Sequence, residues 1–150
     1  MKSLRLAYVM LASLGLTGLV HGDEKTGFLD KVYKDKDGAE IKYVVFVPHD
    51  YKGDQPYPLI LFLHGAGETK GGSKQPVEVG IGTAIKKREK TFPFITIIPQ
   101  AQTRGWQAEG ANAKMALAML EDVQKEYKVD PKRVYLTGLS MGGFGTWSLA

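Results

Sequence analysis

The hydrophobic residues of this chain form short strand-like runs that are separated by segments with helical spacing. Residues 28–33 and 41–47 are rich in β-branched and aromatic side chains, and the polar link between them contains Asp37 followed by Gly38. An Asp-Gly pair between two such runs favours a tight turn. The pattern therefore predicts an antiparallel β-hairpin at the start of the folded region.

Three later runs predict strands that are buried inside a sheet. Residues 58–63 contain five consecutive apolar side chains, and residues 94–99 and 134–138 are rich in β-branched and aromatic residues. An apolar run without polar alternation is typical of a strand covered on both faces, as in a parallel sheet.

Helices are predicted between and after these strands. Residues 79–90 indicate a short helix, residues 111–127 indicate a longer amphipathic one, and a third begins after Ser140. The apolar stripe of the longer helix consists of Ala116, Leu120, Val123 and Tyr127. This order of elements predicts an α/β fold, with a mostly parallel sheet and helices on both of its faces.

The first 22 residues have the composition of a secretory signal peptide. Lys2 and Arg5 precede a mostly apolar segment, residues 6–20, and small residues follow near a possible cleavage point. An uncleaved membrane anchor is the alternative, but small and polar residues interrupt the apolar segment. We therefore expect a secreted or periplasmic protein without a stable membrane anchor, in which residues 23–150 form the folded part.

Composition narrows the possible partners. The chain is 43% hydrophobic and 24% charged, as expected of a globular domain. Without Lys2 and Arg5 it has 18 basic and 16 acidic side chains, too small an excess to indicate nucleic-acid binding. It has no cysteine, so no disulfide framework can form.

The strongest chemical signal is a serine between two glycines. Residues 138–142 read Gly-Leu-Ser-Met-Gly and join a predicted strand to a predicted helix. This pattern fits the G-x-S-x-G nucleophile elbow, whose turn is too tight for side chains at the flanking glycine positions. Ser140 is therefore the candidate nucleophile, and the backbone N–H of Met141 is a candidate oxyanion donor at a helix N-terminus.

A second motif follows the buried strand at residues 58–63. It reads His64-Gly-Ala-Gly-Glu68, and small residues there allow a close approach of the backbone to a substrate. The backbone N–H of Ala66 is the second candidate oxyanion donor, with Gly65 and Gly67 as alternatives. We expect the His64 side chain to hold this loop by hydrogen bonds and not to act as a base.

These motifs resemble those of secreted α/β-hydrolase esterases of the feruloyl esterase and polyhydroxybutyrate-depolymerase-like group. Phospholipase/carboxylesterase and dienelactone-hydrolase-like enzymes are similar as well. The resemblance rests on residues 64–68, 130–138 and 138–143 and extends over about residues 41–150. It implies an α/β-hydrolase fold, a Ser-Asp-His triad, and hydrolysis of small-molecule or polymer-linked carboxylic esters through an acyl-enzyme, without a cofactor or metal.

The resemblance also implies residues that this chain does not supply. In the α/β-hydrolases the acid and the histidine follow the serine along the chain, whereas residues 141–150 contain no histidine. We therefore expect residues 23–150 to be the N-terminal part of a longer hydrolase domain that is inactive alone. The serine strand would then be an exposed, apolar edge, and the isolated chain should be poorly soluble.

Several other residues have two possible interpretations. Trp106 could be a wall of the substrate cleft or a packed lid residue, because aromatic rings serve both purposes. Asp130 precedes Pro131, so we expect it to organise a turn and not to be the triad acid. His49 lies in a polar link and is expected at the surface.

Two other functions use the same features. A prolyl-oligopeptidase-like peptidase has the same elbow, although only a short hairpin precedes the hydrolase region here. A non-catalytic, secreted ligand-binding pseudo-hydrolase would bind in the cleft without turnover.

Overall fold

The computed structural model describes residues 26–72 and 75–150, so the predicted signal peptide lies outside the described residues. The five strands are β1 Gly27–Lys34, β2 Glu40–Val47, β3 Tyr57–Leu63, β4 Ile95–Ile98 and β5 Val129–Gly138. The three α-helices are α1 Ile81–Lys87, α2 Ala111–Glu126 and α3 Met141–Leu149. Short 3₁₀ turns are formed by Ala66–Glu68, Pro76–Glu78 and Glu89–Thr91.

The strands form one mixed sheet in the order β1-β2-β4-β3-β5. Strands β1 and β2 pair antiparallel along their whole length, which confirms the predicted hairpin. The Asp35 carboxylate accepts the N–H groups of Asp37 and Ala39, and Gly38 takes a φ of +83° that favours glycine. Strand β3 pairs parallel with both β4 and β5, as its continuous apolar run predicts.

Helices cover both faces of the sheet because the side chains of each strand alternate between them. Leu59, Leu61 and Leu63 of β3 join the main core, which also contains the buried side chains of α2. Phe62 points to the opposite face, where a Cβ on Gly80 at the start of α1 would be 2.6 Å from its ring. Helix α3 lies on the same face of the sheet as α2, since Met141 packs against the main core.

Two element boundaries differ from the prediction. Helix α1 is shorter than residues 79–90 because Gly80 has a positive φ before it and Arg88 leaves the helical conformation after it. Strand β5 begins at Val129, so the predicted turn at residues 129–133 is an irregularity within the strand. There the Asp130 carboxylate accepts the Lys132 N–H at 2.9 Å, which confirms its local turn role.

The edge of the described sheet at β5 exposes large apolar side chains. Tyr135 and Leu139 are 48% and 43% exposed, and Phe144 and Trp147 of α3 are 79% and 87% exposed. Large exposed apolar patches promote association in water. Within residues 26–72 and 75–150, no helix has both the length and the apolar character that a membrane span requires.

We expect Trp147→Lys to raise the soluble fraction of the 150-residue chain and to lower its light scattering, because it removes the most exposed large apolar side chain. Val32→Lys, at a half-exposed position on β1, is the matched control and should change solubility less. Equal effects of the two substitutions would show that the β5–α3 surface does not drive association.

Candidate active site

Ser140 is held in a strained conformation at the junction of β5 and α3. Its φ of +52° and ψ of −115° make it the one non-glycine residue with a positive φ among the described residues. Such a conformation costs roughly 1–3 kcal/mol and persists only where the surroundings enforce it. The side chain is exposed, and within the described part of the chain its hydroxyl has no hydrogen-bond partner.

The surrounding backbone enforces this turn through glycines. A Cβ on Gly138 would overlap the carbonyl of Gly142, and a Cβ on Gly142 would overlap the carbonyl of Leu63 at the end of β3. The N–H of Leu139 donates to the same Leu63 carbonyl at 3.0 Å. The two glycines therefore have the steric role that the sequence predicted for them.

The loop of residues 64–68, the oxyanion loop, lies directly against the elbow. A Cβ built on Gly65 would be 3.7 Å from the Ser140 Cβ and 3.6 Å from the Leu139 carbonyl oxygen. This contact brings together the two motifs that the sequence analysis identified 76 positions apart, at His64 and Ser140. Few side chains besides glycine would leave room for a substrate at this point.

Both candidate oxyanion donors are first residues of helical turns. Met141 begins α3, and Ala66 begins the 3₁₀ turn that follows Gly65. Among the described residues, no acceptor is bonded to the N–H of either residue. Backbone N–H groups at such positions are available to an anion, because no preceding turn supplies a carbonyl.

His64 is fully buried and supports the oxyanion loop. Its Nδ1–H donates to the Gly65 carbonyl at 2.6 Å, and its Nε2 accepts the Ala101 N–H at 2.9 Å. An amide donor on Nε2 requires the neutral ring, and burial lowers the pKa of His64 from 6.5, although the Gly65 bond and Glu68 oppose this shift. The predicted structural role of His64 is confirmed.

Trp106 packs beneath the same loop. Its indole is 1% exposed, and Nε1–H donates to the His64 carbonyl at 3.0 Å. A Cβ on Gly145 of α3 would overlap the Trp106 side chain, so helix and indole are in close contact. Of the two roles left open for Trp106, this burial favours the packed one, and direct contact with a substrate stays a prediction.

A cavity of about 430 Å³ adjoins the elbow. It is lined by residues of α3 and of the loop before α2, namely Arg104, Gly105, Trp106, Gln107, Met141, Phe144, Gly145 and Ser148. Because Met141 follows Ser140, this space begins next to the candidate nucleophile. Its volume is sufficient for a small organic group.

The histidines in the described region do not reach Ser140. His49 is about two-fifths exposed and its Nε2 lies 3.1 Å from Glu89 Oε1, while His64 uses both ring nitrogens within its own loop. Asp130 is bound by Arg133 Nε at 2.6 Å, and this contact lowers the Asp130 pKa. Within residues 26–72 and 75–150, no cluster of three His, Cys, Asp or Glu side chains could hold a metal.

Two residues of the site had no role in the sequence prediction. Buried Asn112 organises the loop before α2: its Oδ1 accepts the Gln102 N–H at 2.9 Å, and its Nδ2 donates to the carbonyls of Thr103 and Gly105. Buried Glu68 ends the oxyanion loop, and Gln100 Nε2 donates to its carbonyl at 3.1 Å. The position of Glu68 in the motif of residues 64–68 could have marked it as part of the site, whereas no sequence motif contains Asn112.

Comparison with known proteins finds esterases among the proteins that the chain is similar to. No protein-family model matches it. It is 27% identical to a probable feruloyl esterase C of Aspergillus flavus, over 99% of this chain and 56% of that protein. It is 28% identical to a bifunctional acetylxylan esterase/xylanase of Neocallimastix patriciarum, over 77% of this chain and 16% of that protein. An uncharacterised peptidase of Bacillus subtilis is also 28% identical, over 76% of this chain and 18% of that protein.

A solved thermostable esterase has the same fold, with a TM-score of 0.61 and 30% identity over 81% of this chain and 36% of the other. The predicted α/β-hydrolase fold and the resemblance to its esterases are therefore confirmed. The chain spans about half the length, or less, of the curated relatives that it matches.

We expect Gly142→Ala to lower the free energy of unfolding by about 2 kcal/mol or more, because the new methyl group would overlap the Leu63 carbonyl. Gly143→Ala is the matched control: its Cβ would be 3.7 Å from the nearest backbone atom, and helix propensity favours alanine by about 1 kcal/mol. Urea unfolding of both variants tests the difference, and similar midpoints would contradict the steric role of Gly142.

Acid should destabilise the chain partly through His64. The pKa of His64 is lower in the folded chain than its ordinary 6.5, so its contribution to stability is present above pH 6.5 and is lost as the pH falls through the lowered folded value. Urea midpoints at about pH 7.5 and about pH 5.5 measure this loss, and the midpoint should be lower at the acidic pH. His64→Gln should weaken the pH dependence, because the glutamine side chain does not titrate.

Proposed function

We propose that the protein is a serine hydrolase that cleaves carboxylic esters, with Ser140 as the nucleophile. The observation that carries this proposal is the strained Ser140 conformation at a strand–helix junction against which the oxyanion loop closes. Strain of this kind is typical of functional sites, and here it presents an exposed hydroxyl beside two N–H groups that have no acceptor among the described residues. The esterase relatives support the same reaction class.

In the proposed reaction, the Ser140 oxygen attacks the ester carbonyl carbon as a histidine takes the hydroxyl proton. The carbonyl oxygen becomes an oxyanion that accepts hydrogen bonds from the N–H groups of Met141 and Ala66. When the intermediate collapses, the ester C–O bond breaks and the alcohol leaves with that proton. Water then attacks the acyl-enzyme in the same way, which releases the acid and restores Ser140.

The general base and its acid partner are proposed to lie beyond Ala150. In α/β-hydrolases these residues follow the serine along the chain. His49 and His64 are held elsewhere by Glu89 and by the oxyanion loop. The greater length of the relatives supports the same conclusion, so that residues 23–150 would be the N-terminal part of one hydrolase domain.

The substrate is proposed to be a small-molecule or polymer-linked ester. The cavity beside Met141 would receive one of its organic groups, with Trp106 as part of the wall. The signal-peptide pattern of residues 1–22 supports action outside the cytoplasm, where such esters can be polymer-bound.

Peptide hydrolysis is the alternative function, favoured by the similarity to a peptidase. The same nucleophile and oxyanion donors serve both reactions, so the difference would appear in the leaving group. Matched amide and ester substrates with the same acyl group distinguish the two: an esterase turns over the ester far faster than the amide.

Ser140→Ala should abolish hydrolysis of 4-nitrophenyl acetate by the protein produced from its complete gene, with a loss of at least about 10³-fold in kcat. It should also abolish labelling by a fluorophosphonate, which reacts with activated serines. Thr91→Ala removes an exposed hydroxyl bonded to the Arg88 carbonyl and serves as the control. Residues 23–150 produced alone should be inactive, because the base is missing.

Retained turnover in Ser140→Ala would overturn the assignment of the nucleophile. Full activity of residues 23–150 alone would instead overturn the proposed location of the histidine and leave the role of Ser140 in place.

A further inference from the structure

The oxyanion loop ends in a largely buried glutamate whose side chain the reaction described above does not use. Glu68 is the last residue of the 3₁₀ turn Ala66–Glu68, and the residue is 6% exposed. Its backbone is fixed, since its N–H donates to the Gly65 carbonyl and its own carbonyl accepts from Gln100. The side chain is therefore attached to a backbone held in place on both sides.

Gly65 separates the Glu68 carboxylate from the nucleophile. The point where a Gly65 Cβ would lie is 3.0 Å from Glu68 Oε2 and 3.7 Å from the Ser140 Cβ. Both side chains thus border the space that the missing Cβ leaves open. A substrate group bound at Ser140 would therefore lie close to the negative charge of Glu68, with only Gly65 between them.

Glu68 differs from the other buried polar residues in its hydrogen bonding within residues 26–72 and 75–150. Four polar or charged residues are buried among the described residues: His64, Glu68, Thr96 and Asn112. The side chains of the other three all form hydrogen bonds, whereas none of the described groups donates a hydrogen bond to the Glu68 carboxylate. Among the described residues only Thr69 Oγ1 is an enclosed side-chain oxygen without a partner, so the Glu68 carboxylate reaches solvent through the small part of the residue that is exposed. Its charge can therefore act at the surface beside Ser140.

We propose that Glu68 selects substrates by charge at the Ser140 site. The proposal rests on the esterase function proposed above and adds to it a preference for neutral and cationic acyl groups over anionic ones. A carboxylate on the substrate would be repelled by Glu68 at short range. A cationic group would be attracted for the same reason, so Glu68 acts as a specificity residue.

The test uses three 4-nitrophenyl esters of equal acyl length that differ in terminal charge: the adipate monoester, the hexanoate and the trimethylammoniohexanoate. The enzyme produced from its complete gene should hydrolyse the anionic ester at a kcat/KM at least about tenfold below that of the neutral ester. The cationic ester should be hydrolysed at least as well as the neutral one. Glu68→Gln, which keeps the shape and removes the charge, should reduce the neutral-to-anionic ratio by about tenfold.

Two variants control for structural effects. Glu68→Asp keeps the negative charge and should retain the order of the three esters. Glu121→Gln removes a charge from the exposed face of α2 and should leave all three kcat/KM values unchanged. A general loss of stability would lower the three rates together and would not alter their ratio.

The outcomes separate this proposal from the proposed function. Failure of the parent enzyme to hydrolyse the hexanoate, or hydrolysis of it by Ser140→Ala, would overturn the esterase function itself. Equal kcat/KM values of the parent enzyme for the three esters would overturn charge selection alone. An unchanged neutral-to-anionic ratio of kcat/KM in Glu68→Gln would also overturn charge selection. The same holds if Glu68→Gln lost hexanoate turnover while Glu68→Asp kept it.

Discussion

The candidate site depends on one close approach, between the start of α3 and the end of β3. The Leu63 carbonyl accepts the Leu139 N–H and leaves no room for a Cβ on Gly142. This contact fixes where the chain turns between β5 and α3. A turn at that point requires the positive φ of Ser140. The position of the candidate nucleophile is therefore set by backbone packing between parallel strands and a helix, and not by contacts of the serine side chain.

The oxyanion loop is positioned by the layer beneath it. His64 links the loop to Ala101, Trp106 links it to α3, and Asn112 holds the segment that carries Trp106. Each of these polar side chains is buried and hydrogen-bonded, which favours a rigid layer. Because the loop rests on buried groups, the Ala66 N–H can stay in place without an acceptor among the described residues.

Local sequence predicted most of this architecture. Apolar runs identified β3 and β4, and the spacing of glycines identified the elbow, since both signals depend on residues that are adjacent in sequence. The irregularity in β5 was missed because its pairing partner, β3, lies about 70 positions earlier. The role of Asn112 was missed for a similar reason: a buried polar side chain is explained by the partners that the folded chain brings to it.

The strained backbone of Ser140 also affects which residues evolution would favour at this position. Glycine adopts a positive φ without cost, so Ser140→Gly would relieve the turn while removing the hydroxyl. Selection for stability alone would therefore favour glycine here, and only selection for a reactive side chain would maintain serine. In a lineage that no longer needed the reaction, Ser140 would be among the first residues of the elbow to be lost, while Gly138 and Gly142 would persist for packing.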